Sequence, residues 1–224
     1  MLGVIGGMGP LATAIFYAML TNKQKVSAEQ EHPDIIIYSK PSIPDRSAFI
    51  LGQSEVSPLD DIIHAAKILQ GAGVSFIAMP CVTSHYFYEN IAQAINVPII
   101  NLIDEIAKHA LTNGFEKIGV LATNGTMAAG LFQKTFEKCG IEMLQLDSEN
   151  QAELMKIIYD IKLGQHIKAE IFDELEEDLF RRGAQAIVLG CTELSMVIGP
   201  VLKERIDALD VLANTVLEMS RKTP

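Results

Sequence analysis

Phe76-Ile77-Ala78-Met79-Pro80-Cys81-Val82-Thr83-Ser84-His85 is the stretch that decides the fold, because it has an echo 110 residues later in Ala186-Ile187-Val188-Leu189-Gly190-Cys191-Thr192-Glu193. In each copy an apolar run of strand type ends at a cysteine and a threonine-containing polar segment follows. A glycine, Gly73 or Gly183, lies eight residues before each sulfur. A second echo keeps nearly the same offset. Gly3-Val4-Ile5-Gly6-Gly7-Met8-Gly9-Pro10 reads like Gly119-Val120-Leu121-Ala122-Thr123-Asn124-Gly125-Thr126, 116 residues on. Two echoes in one order indicate an α/β unit used twice, each unit placing a thiol at the carboxyl end of a strand.

The length of 224 residues suits two such units, and 49% apolar residues are enough for a sizeable core. No apolar run approaches the roughly 18 residues of a membrane span, and the N-terminus lacks a basic segment leading into an apolar one. The expected location is the cytoplasm, where the three cysteines stay free thiols. A formal net charge of −10 argues against nucleic acid and anionic membranes as partners. It also means that an anionic ligand needs cations placed locally. The His and Cys residues show no metal-ligand spacing, so no metal is expected.

Along the chain, a short strand at residues 2–5 runs through the glycines into a helix at 11–22, with Pro10 suited to its first position. From Gly7 the letters also fit GxGxxA. The next strand, 34–38, ends in Ser39-Lys40 where a dinucleotide site needs an acid, so close approach of the backbone to a small ligand is the better use of these glycines. The prolines of 41–47 mark a loop that presents Arg46. In the following helix Ser57 caps, Pro58 starts, Asp60 completes a capping box and Gly71 stops, with Leu59, Ile62, Ile63, Ala66 and Leu69 as the buried stripe. A helix from Thr83 to about 95, a strand at 97–100 and a helix at 104–113 complete the first unit. The second unit contributes helices at 147–163, buried through Leu154, Ile157, Ile158 and Ile161, and at 169–182. A last amphipathic helix spans 211–221. Lys162 near a helix end complements the helix dipole, which is its plain structural role.

Ligands of open parallel sheets bind beyond the carboxyl ends of the strands. Each cysteine falls there, just before a predicted helix whose free N–H groups favour a thiolate. Two units facing each other put one sulfur on either side of a small ligand. One thiolate then removes a proton from a carbon while the opposite thiol returns another, which inverts a stereocentre. A single cysteine at a strand end is usually a small buried hydrophobe; a matched pair points to function. Cys139, with no counterpart, is read as structural.

Gly6-Gly7-Met8-Gly9-Pro10-Leu11-Ala12-Thr13, Ile43-Pro44-Asp45-Arg46, Pro80-Cys81-Val82-Thr83-Ser84-His85 and Gly190-Cys191-Thr192-Glu193-Leu194 together resemble the aspartate/glutamate racemase family, most closely its aspartate racemase branch. The resemblance implies an α/β fold of two pseudo-symmetric Rossmann-like, three-layer αβα domains with parallel sheets and the active site in the cleft between them. The domains are expected at 1–104 and 105–207, with a C-terminal helix at about 208–224 packing back onto the first. It further implies a cofactor-independent amino-acid racemase, commonly a homodimer, with Cys81 and Cys191 as the acid/base pair. Met8, Thr83, Thr126, Thr192 and Glu193 match pocket positions, and Arg46 and Lys162 match the cations that hold a side-chain carboxylate. Val82 departs from the family's usual asparagine. A lost hydrogen bond to a charged group there weakens binding by about 1.5–3 kcal/mol unless another donor substitutes. Alternatives are a maleate isomerase, hydantoin racemase or arylmalonate decarboxylase type of the same superfamily, a catalytically silent amino-acid-binding protein, and, from another class, a nucleotide-dependent oxidoreductase.

Overall fold

Every residue of the first strand, β1 (Leu2–Gly6), is buried. A parallel strand covered by helices on both faces needs no polar alternation. β1 turns directly into α1 (Pro10–Lys23), with Pro10 in its first turn. The chain continues through β2 (Ile35–Ser39), α2 (Arg46–Ile50), α3 (Leu59–Gly71) and β3 (Phe76–Ala78). A 3₁₀ turn (Thr83–Phe87) then leads into α4 (Tyr88–Ala94) and α5 (Leu102–Thr112). The second half contains β4 (Lys117–Leu121), α6 (Asn124–Ala128), α7 (Leu131–Lys138), β5 (Glu142–Leu144), α8 (Ser148–Lys162) and α9 (Ala169–Arg181). It ends with β6 (Ala186–Leu189), a 3₁₀ turn (Leu194–Met196), β7 (Arg205–Asp207) and α10 (Ala208–Lys222). This computed structural model describes residues 1–165, 169–196 and 204–222. No helix among them is long and apolar enough to cross a membrane.

Among the described residues the strands form two sheets, ordered β2-β1-β3 and β5-β4-β6-β7, and all pairings are parallel. The duplication seen in the sequence is visible in their registers. β1 pairs Val4 with Ala78 of β3, and β4 pairs Val120 with Val188 of β6. In each half the strand bearing the cysteine therefore lies beside the strand that opens the half. Side-chain parity is also repeated. Val4, Phe76 and Ala78, like Val120, Ala186 and Val188, face one continuous core that also contains the apolar sides of α5 and α10. Ile77 and Met79 face a second cluster with Cys81, while Ile187 and Leu189 face a third with Cys191. Gly73 and Gly183, eight residues ahead of the sulfurs, both have positive φ, at 81° and 94°. Each makes a left-handed turn that a side chain would disfavour.

Local corrections follow from backbone chemistry. The expected helix after Cys81 is a 3₁₀ turn first and an α-helix only from Tyr88. The expected strand at 97–100 makes a single bridge, Ile77 to Ile99, because Pro98 has no N–H to extend a ladder. The expected loop at 41–47 already becomes α2 at Arg46, since the Asp45 side chain accepts from the Ala48 N–H and caps it. Ser57 accepts from the Leu59 N–H at 3.2 Å, but Pro58 is the residue before the helix rather than its first residue, and Gly71 remains inside α3.

Candidate active site

Cys81 leaves β3 two residues after a buried methionine and is held from behind. The His85 Nδ1–H donates to the Cys81 carbonyl at 2.9 Å, and the ring stacks on Tyr88. In front, the Ser84 hydroxyl lies 3.0 Å from Cys81 Sγ and 3.2 Å from Met8 Sδ. Next to it, Thr83 joins the second half of the chain. Its hydroxyl is 3.0 Å from those of both Thr123 and Thr126, which are 3.1 Å from each other. Ser47 of α2 donates to Thr123 Oγ1 at 3.2 Å. Thr123 is placed by the helix it caps: its side chain accepts from the Thr126 N–H.

Cys191 stands in a different setting. Its thiol donates to Glu193 Oε2 at 3.0 Å, and Lys162 Nζ donates to the other oxygen, Oε1, at 2.7 Å. Thr192 reaches across to the Pro80 carbonyl at 3.3 Å, tying the second cysteine loop to the first. Burial pushes the Cys191 thiol well above its ordinary pKa, and the Glu193 carboxylate adds to this by repelling a thiolate; Lys162 offsets only part of it. This reverses the expectation that a following helix favours the thiolate here. Only a 3₁₀ turn follows, and although the Glu193 N–H still favours a thiolate, burial and the Glu193 carboxylate outweigh it. Burial opposes the Lys162 ammonium, but Cys191 and Glu193 more than compensate, so its pKa lies above the usual lysine value.

Cys81 and Cys191 line one cavity, together with Met8, Arg46, Val82, Thr83, Lys162, Thr192 and Glu193. Its volume is about 20 Å³, room for roughly one water molecule. Thr126 is not among its walls; it stands one layer back, its hydroxyl on Thr83 and Thr123. Thr123, Ser47, Asp45, Met155, Ile158 and Tyr159 complete the lining; none of them was expected from the sequence as a site residue. A wider space of about 170 Å³ adjoins it, sharing Asp45, Arg46, Lys162 and Glu193 and bounded outside by Gly7, Gly9, Pro10 and Leu11. The glycine loop approaches its own chain closely: a Cβ on Gly7 would lie 2.5 Å from the Lys40 backbone, and one on Gly9 3.1 Å from Glu193 Oε1.

The guanidinium of Arg46 donates to the carbonyls of Pro44 at 3.0 Å and of Ile43 and Met8 at 3.3 Å. Its Nε is buried and has no partner among the described residues. Lys162 is neutralised by Glu193, so Arg46 is the cation of this cavity with no carboxylate bonded to it among the described residues.

Residues 5–216, both cysteine segments included, match the Asp/Glu/hydantoin racemase family. The chain belongs to that family. The racemase is 31% identical over 210 residues to the broad specificity amino-acid racemase RacX of Bacillus subtilis, covering 91% of this chain and 90% of that protein. Among solved structures it superposes on the aspartate racemase of Picrophilus torridus with a TM-score of 0.84 at 27% identity, covering 98% of this chain and 94% of the other. An aspartate racemase homologue from Pyrococcus horikoshii gives a TM-score of 0.79 at 28% identity, with 98% of each chain covered. The two-sheet architecture of the racemase is therefore the two-domain α/β racemase fold.

Proposed function

We propose that this amino-acid racemase inverts free aspartate or glutamate without a cofactor, using Cys81 and Cys191 on opposite faces of Cα. Residues 1–104 and 105–207 would supply the two walls of the cleft. The observation that carries the reading is the position of the sulfurs: they come from equivalent strands of the two sheets and line the same cavity as Arg46 and Lys162. One sulfur, as thiolate, takes the α-proton while the other, as thiol, delivers one to the opposite face, and the cycle ends with their protonation states exchanged. The hydroxyls of Thr83, Thr123 and Thr192 line the space in which the α-carboxylate gathers negative charge as the proton leaves. Arg46 is the cation available to a side-chain carboxylate.

A broader substrate range is the second reading. Val82 offers no amide to the α-carboxylate, Lys162 is already bound to Glu193, and a relative similar over nine-tenths of its length bears the name of a broad specificity enzyme. One assay addresses both. Each enantiomer of the common amino acids is incubated in D2O without cofactor and followed by chiral chromatography and mass spectrometry. Solvent deuterium is expected at Cα of the inverted product, fastest with the acidic amino acids. Cys81→Ser and Cys191→Ser are each expected to abolish inversion; full racemisation by either one refutes the two-thiol scheme. Equal rates with neutral and acidic substrates support the broader range.

A further inference from the structure

The two sulfurs are supported by chemically different neighbours. Glu193 presents Cys191 with a carboxylate oxygen that can only accept a hydrogen bond and so favours the thiol, while its backbone N–H is the donor left for a thiolate. Cys81 has Ser84 instead, whose hydroxyl carries one hydrogen and can also accept. That hydroxyl is fully buried and lies within reach of two sulfurs, Cys81 Sγ at 3.0 Å and Met8 Sδ at 3.2 Å. A thioether can only accept. With one hydrogen to give, Ser84 can serve one of the two sulfurs at a time.

Building on the two-thiol reading, we infer that Ser84 is a positioning residue whose hydroxyl swings between Cys81 and Met8 as Cys81 loses and regains its proton. When Cys81 is a thiolate, Ser84 donates to it, a hydrogen bond to a charged acceptor. When Cys81 is a thiol, its S–H donates to Ser84 Oγ, and the serine hydrogen turns to Met8 Sδ. In both states every hydrogen has an acceptor, and no heavy atom has to move. The two protonation states that a two-base cycle demands of Cys81 are thus both accommodated by one buried hydroxyl with a second acceptor behind it. Met8 acquires a definite role: it receives the serine hydrogen in the half of the cycle in which Cys81 holds a proton.

The inference is tested on the full-length protein by site-resolved alkylation. Iodoacetamide labelling of Cys81 and Cys191 is quantified separately by mass spectrometry across a pH series. Ser84→Ala removes the donor to the thiolate and is expected to raise the half-maximal pH of labelling at Cys81 by about one unit, a tenfold change in equilibrium. Met8→Leu removes the competing acceptor and is expected to lower it, while Ser84→Thr, which keeps a hydroxyl, restores the wild-type value. Labelling of Cys191 stays in place throughout. An unmoved Cys81 midpoint in Ser84→Ala, or shifts of the same sign in Ser84→Ala and Met8→Leu, overturns the inference. Labelling requires no turnover, so its outcome is read independently of the chiral assay that tests the racemase scheme.

Discussion

His85 is enclosed behind Cys81 with one nitrogen committed and the other bare. Nδ1–H is bound to the Cys81 carbonyl, and Nε2 is buried without a partner among the described residues. Burial pushes its pKa below the ordinary histidine value, and the backbone contacts to Cys81, Ile100 and Val82 offset only part of this. An unfolded chain takes up this proton near pH 6.5, whereas the folded one resists. Between the lowered value and about 6.5 the unfolded state holds more protons, so stability is complete above that window and is lost as pH falls through it. His85→Asn keeps a donor for the Cys81 carbonyl but cannot titrate. Its melting temperature is expected to fall less than the wild type's between pH 7 and pH 5; parallel curves in thermal melts would remove His85 from the account. At this scale the sequence was informative where residues came in matched sets. Cys81 and Cys191 declared themselves by repetition, whereas Ser84 and Thr123 are single hydroxyls whose importance arises only from what the fold sets against them. Thr123 did leave one trace, a cap residue ahead of the short helix that carries Thr126.

Between elements, α2 of the first half and α6 of the second meet where Gly125 faces Ser47. A Cβ on Gly125 would lie 2.6 Å from Ser47 Cα and 2.7 Å from its Oγ, so backbone rather than a flexible tip blocks the space. Gly125→Ala is expected to push α2 away, and Arg46 at the start of that helix with it. Overpacking of this kind costs about 1–3 kcal/mol, and a 1 Å displacement of a binding group costs on the order of 100-fold in rate. A drop in kcat/KM much larger than the drop in melting temperature explains is the expected signature; wild-type kinetics would show that the contact does not position Arg46. The element itself was hidden from sequence reading. Five residues give no helical period, and the flanking Pro41 and Pro44 speak for a loop, while the decisive signal was Asp45 as a cap. The segment at 97–100 failed in the opposite sense, apolar enough for a strand but interrupted by a proline that lacks the donor.

Over the whole molecule, the duplication read from the sequence yields two sheets but not two separate cores. Leu2 and Val4 of the first sheet, Val120 and Val188 of the second, and the buried sides of α5 and α10 belong to a single apolar cluster. α10 packs against α1 and α5 of the first half, and its buried side shares this cluster with Val120 and Val188 of the second. Sequence periodicity marks which face of a helix is apolar but not which sheet receives it, and this sharing could not be read in advance. Leu212 is fully buried at its centre, and Leu212→Ala is expected to cost about 2–5 kcal/mol. Calorimetry of this variant should show one transition moved to lower temperature, since both halves lean on the same cluster; two resolved transitions would mean that each half stands alone. The halves also line a chamber of about 20 Å³, and that smallness has a consequence for any guest. A guest must shed its hydration shell at the threshold, and bare charge in a dry enclosure is costly unless fixed groups replace the lost solvent. For the acidic guest proposed above, Arg46, which bonds no carboxylate among the described residues, and the hydroxyl walls are the groups that would take the place of that lost solvent.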